Sequence, residues 1–68
     1  MKDYEKLTPS VQLMLEDAVS SDPYGLSPKT LYTNIANSLV SGRIDKVAEI
    51  FDVSISLCEM IQKENNDY

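Results

Sequence analysis

Apolar residues recur along this chain with helical spacing. Val11, Met14, Leu15, Ala18 and Val19 follow the i, i+3, i+4, i+7, i+8 order that marks one face of a helix, and Leu13 widens that face. Thr8-Pro9 opens the segment with a capping residue and a proline whose fixed φ suits a first turn. The pattern fades at Ser20-Ser21, so a first helix is predicted over residues 9–20. Ser21-Asp22-Pro23-Tyr24-Gly25 reads as a turn, with Pro23 stopping the helix and Gly25 free to take positive φ. Ser27-Pro28 is a second cap-and-proline start, preceded by Leu26, an apolar residue placed to staple the entering chain. Leu31, Tyr32, Ile35, Ala36, Leu39 and Val40 then share a face, which predicts a second helix over 28–41 with Gly42 as its C′ residue.

The last segment admits three readings. As one long helix over 44–63, capped near Asp45, it carries one stripe from Ile44 through Val47, Ala48, Phe51, Ile55 and Cys58 to Ile61, and a second through Ile50, Val53, Leu57 and Met60. Such a helix is apolar over more than half its circumference and needs more cover than one neighbour gives; in so short a chain another chain supplies it most easily. As a strand, Phe51 to Leu57 alternates over seven residues, but no partner strand is apparent and a lone strand is unstable. As a helix-turn-helix, Ala48, Phe51, the turn residue Asp52, Val53-Ser54, Cys58 and Ile61 fall at the right spacing. Aspartate stands there where glycine, free at positive φ, is usual. We take the first reading, which gives an all-α, three-helix single domain over residues 1–68, a helical hairpin plus a long C-terminal helix, dimerising through the excess apolar face.

Composition removes most chemistry. In 68 residues there is no histidine and no tryptophan, one cysteine and two glycines. The usual general base is missing, Cys58 lacks a histidine to activate it, and no familiar zinc site, P-loop or dinucleotide motif can be assembled. An enzyme is therefore not expected, nor a catalytic, cofactor-binding or metal-ligating residue, nor a small-molecule substrate. No apolar run approaches the roughly 18 residues of a membrane span. The charged start at Met1 to Lys6 does not read as a secretory signal. With a lone cysteine, this points to the cytoplasm.

The net charge of −5 bears on nucleic acid. DNA binders draw affinity from neutralised phosphates. From Arg43 onward, however, three cations (Arg43, Lys46, Lys63) face six carboxylates, and the second helix of the helix-turn-helix reading would offer Ser56, Glu59, Gln62, Lys63 and Glu64. The same apolar residues serve equally as plain core. Cys58 reads as a small buried hydrophobe, and the four tyrosines, not interleaved with basic residues as a nucleic-acid surface would be, make no base-stacking platform. Glu59 and Lys63 form an i,i+4 pair that stabilises by only a few tenths of a kcal/mol.

Gly25-Leu26-Ser27-Pro28-Lys29-Thr30-Leu31, with Ile35 and Leu39 continuing the face, resembles the central stretch of a family of small enterobacterial biofilm and acid-stress regulators. These are the YmgB (AriR)/YmgA/YcgZ family of two-component-system connector proteins. The specific part is about seven residues; the apolar rhythm of residues 10–61 is compatible with the same plan. The acidity and the Val53-Ser54 pair differ from it. The resemblance implies an all-helical homodimer acting through protein contacts in bacterial signalling or gene regulation, with no catalytic or ligand residue.

The function expected from these readings is a non-enzymatic regulatory or adaptor protein that docks apolar helix faces on a protein partner or on itself. Its anchors would be Tyr32, Leu39, Phe51, Ile55, Met60 and Ile61. The alternatives are a helix-turn-helix transcription regulator using residues 45–63, with Lys29, Arg43 and Lys46 gathered on one side, and a small chaperone or anti-repressor masking a partner's helix.

Overall fold

The computed structural model describes residues 1–21 and 25–67. It is all-helical, with no strand among the described residues. A single 3-10 turn over Tyr4–Lys6 precedes α1 (Pro9–Val19), α2 (Pro28–Leu39), α3 (Ile44–Phe51) and α4 (Ile55–Asn66). The predicted tight turn between α1 and α2 falls mostly on residues 22–24, outside the described residues; its last residue, Gly25, takes the expected left-handed φ of 69°.

Among the described residues four α-helices stand where three were expected, because the 44–63 segment is broken at Asp52. That residue adopts φ 55°, ψ 47°. Its amide donates to the Glu49 carbonyl at 3.3 Å and the Val53 amide to the Ala48 carbonyl at 3.0 Å. These are the two bonds of a Schellman closure, normally built on glycine. Ser54 then caps α4, its hydroxyl accepting from the Leu57 amide at 3.0 Å. The strand reading of Phe51 to Leu57 and the uninterrupted helix both give way to the bihelical unit.

The two proline-led starts use different devices. Ser27 caps α2 as expected, accepting from the Thr30 amide at 3.1 Å, and Leu26 is half-buried against the core. Thr8 occupies the cap position of α1 without a side-chain cap bond. Its amide and hydroxyl instead donate to the Glu64 carboxylate of α4, at 3.1 and 3.0 Å. Likewise Asp45 is not the cap of α3: Arg43 holds that position, and Asp45 pairs with it from the first turn.

Gly42 also differs from expectation. It is not at positive φ and so is not the left-handed C′ residue. Its amide donates to the Ser38 carbonyl at 2.8 Å, and a Cβ there would lie 2.8 Å from that oxygen and 3.1 Å from Cγ2 of Val47. Glycine is needed because α3 doubles back against the end of α2.

The core is drawn from every helix: Val11 and Leu15 of α1, Tyr32 and Ile35 of α2, Val47 of α3, and Leu57, Cys58 and Ile61 of α4. Leu7 joins it from the N-terminal segment. Cys58 is the buried hydrophobe expected, and burial pushes its thiol pKa up.

Candidate functional site

The unit α3–turn–α4 sets what this molecule presents outward. Val47 and Ala48 turn one side of α3 inward, while Leu57, Cys58 and Ile61 do the same for α4. The left-handed residue between them changes the register, so the single stripe expected through residues 44–61 is divided. Ile55 leaves the interior and is 51% exposed, and Ile50, on the outer side of α3, is 74% exposed. The two straddle the Asp52 turn. Ser56, Glu59 and Lys63 complete the exposed side of α4, with Met60 and Gln62 half-buried.

The six expected anchors therefore separate. Ile55 is on the surface; Phe51 and Met60 are half-buried, packed against the core. Leu39 lies at the margin of the core, while Tyr32 and Ile61 are spent inside it, at 1% and 0% exposure. Tyr32 and Ile61 cannot touch a partner from there. They were expected on a docking face because each belongs to an apolar stripe, and a stripe does not say which side the chain's own neighbours will cover. The exposed Ile50 and Val40 were not singled out. Both lie at helix ends, where no neighbour follows.

Tyr32 has a structural task. Its hydroxyl donates to the Lys2 carbonyl at 2.6 Å and accepts from Asn65 Nδ2 at 3.2 Å. Asn65 Oδ1 in turn accepts from the Lys2 amide at 2.8 Å. Glu64 takes the Lys2 ammonium at 3.2 Å along with both groups of Thr8. The N-terminal segment is thus tied to the end of α4. Burial, chiefly, holds the Tyr32 pKa above its ordinary value; Glu64 adds to this and the bond from Asn65 opposes it.

Electrostatics on the bihelical unit oppose a phosphate backbone. Arg43 is paired with Asp45 at 3.1 Å and Lys29 with Glu5 at 3.6 Å. Lys29 sits at the start of α2 and Arg43 past its end, about 18 Å of helix away, so the basic cluster of Lys29, Arg43 and Lys46 is not assembled. Lys46 and Lys63 remain against exposed Glu49, Asp52 and Glu59. Among the described residues, no group of three or more histidine, cysteine, aspartate or glutamate side chains is placed to hold a metal ion, and no helix is long and apolar enough to cross a membrane. No family model, curated protein or solved structure matches this chain.

Proposed function

We propose that this protein is a non-enzymatic regulator or adaptor of the cytoplasm that works by protein contacts, and that the outward side of its helix-turn-helix unit takes the partner. One observation carries the reading. Where a DNA reader needs cations at the start of its second helix, α4 presents exposed Ile55, Ser56 and Glu59, and α3 adds exposed Ile50 before the turn. Exposed aliphatic side chains on either side of a hydrogen-bonded turn suit an apolar surface on another protein. Self-association belongs to the same reading.

A second reading has its own support. The turn at Asp52, the cap at Ser54 and the packing of α3 on α4 have the form of a DNA-binding helix-turn-helix. The two are separated by capture from nuclease-treated lysate of the source cell, with wild-type and Ile55→Glu baits. A protein captured by the wild-type chain and lost with Ile55→Glu supports the protein-contact reading. Association that disappears with nuclease, and a duplex-binding signal that falls steeply with salt, would replace it with the DNA reading.

A further inference from the structure

One residue in four of this sequence is charged, yet Thr30 to Gly42 is a run of thirteen residues with none. That run is most of α2 and the turn that follows it. Ile35, Ala36 and Leu39 face the core, while Asn34, Asn37, Val40 and Ser41 face solvent. Beside this uncharged outer face, α2 and α4 border an open groove of about 470 Å³. Met1, Ala36 and Leu39 line it on the apolar side, above the fully buried Ile61, and Asn37, Gln62 and Asn65 on the polar side; none of its nine lining residues has an ionisable side chain, and Met1 brings the amino terminus to its rim. Val40, at the lip, is 85% exposed, the highest value among the exposed large hydrophobic residues. The smaller depression beside the Asp52 turn is different, since Asp17 and Asp52 both border it.

We propose that the α2–α4 groove is where two copies of this chain meet, Val40 of each copy entering the groove of the other. The inference rests on the reading that the chain acts by protein contacts, but it uses a different face from the Ile50–Ile55 side. Charge selects the occupant. Each copy carries −5, so pairing through acidic surface sets carboxylates against one another, whereas the groove between α2 and α4 has no carboxylate in its lining. Interface cores are depleted in charge in the same way. A two-fold contact is self-complementary, with the same patch on both copies, and a protruding Val40 beside an uncharged, part-apolar hollow satisfies that condition. The face is one helix and one groove of a molecule exposing 4446 Å², so the contact belongs with small, concentration-dependent interfaces.

Sedimentation velocity on the full chain, from about 10 µM to about 1 mM, reads the outcome. The mass is expected to shift from one chain to two as concentration rises, and added salt is expected to strengthen the dimer by screening the two negative chains. Val40→Glu should weaken it by about tenfold or more, with circular dichroism and thermal midpoint unchanged because Val40 is exposed. Asn37→Glu should do the same, and Leu13→Glu, an exposed position on α1, should leave the dimer intact. A monomer at every concentration overturns the inference. So does a dimer that withstands both Val40→Glu and Asn37→Glu but is dispersed by Ile55→Glu. A monomer that still captures a partner through Ile55 refutes the self-contact alone. A Val40-dependent dimer that captures nothing upholds it while the Ile55 reading fails.

Discussion

At the scale of single residues, the most consequential departure from expectation is Asp52. Its left-handed backbone costs an L-residue roughly 1 kcal/mol, somewhat less for aspartate, while glycine reaches it freely. Asp52→Gly is expected to raise the free energy of unfolding by about 0.5 kcal/mol after the added entropy of the unfolded chain. Asp52→Val should lower it by about 1–2 kcal/mol. Urea titrations of the three proteins test both, and a loss on Asp52→Gly would mean that the carboxylate holds the turn. Tyr32 makes a second prediction. Its folded pKa is raised by burial above an unfolded value near 10, so the native state holds the phenol proton more tightly than the unfolded state does. That advantage is complete below about pH 10 and is lost as pH rises through the folded value. Thermal midpoints are therefore expected to fall at alkaline pH, and Tyr32→Phe should flatten the fall while lowering neutral-pH stability by about 1 kcal/mol. Tyr4 and Cys58 shift in the same direction, so the dependence should shrink without vanishing. An unchanged slope in Tyr32→Phe would remove the phenol as its source.

At the scale of elements, the joint between α2 and α3 depends on Gly42. A methyl group there meets the Ser38 carbonyl at 2.8 Å and the buried Val47 side chain at 3.1 Å, neither free to yield. Gly42→Ala should therefore destabilise by about 2 kcal/mol, against about 1 kcal/mol for Gly25→Ala, where φ is positive but nothing lies within 4 Å. Equal losses in denaturant titrations would contradict the close approach. The sequence made α1 and α2 legible to within a residue or two because both begin at a Thr/Ser-Pro pair and keep a single apolar face. It left 44–63 ambiguous because Ile44, Val47, Ala48, Phe51, Ile55, Cys58 and Ile61 satisfy a continuous stripe as well as they satisfy two short helices. The signal that separated them was Asp52-Val53-Ser54, a turn residue and a cap in succession. It was legible as a motif, but a left-handed aspartate carries a weaker signal than glycine would.

At the scale of the whole molecule, only some of the expected anchors stay at the surface, because sequence reading ranks residues by stripe while burial is decided by which neighbours arrive. Ile55 stayed outside; Tyr32 and Ile61 were covered by the chain's own N-terminal segment and helices. What remains outside is a helix-turn-helix shape with the wrong chemistry for a groove, and that separation of shape from charge can be tested directly. Ile55→Arg with Glu59→Lys alters two exposed positions of α4 and adds three positive units to a net of −5. The wild-type chain is expected to show no measurable affinity for random duplex DNA at about 50 mM salt. The double variant should bind weakly, with log affinity falling against log salt at roughly −0.9 per neutralised phosphate. Fluorescence anisotropy reads both, with circular dichroism verifying that the variant keeps its helices. Tight, steeply salt-dependent binding by the wild-type chain would overturn the protein-contact reading. A folded variant that still ignores DNA would show that the geometry of α4, and not only its charge, keeps it out of the groove. Binding gained by the variant alone would mean that the acidic and aliphatic surface of α4 is what keeps this unit off DNA.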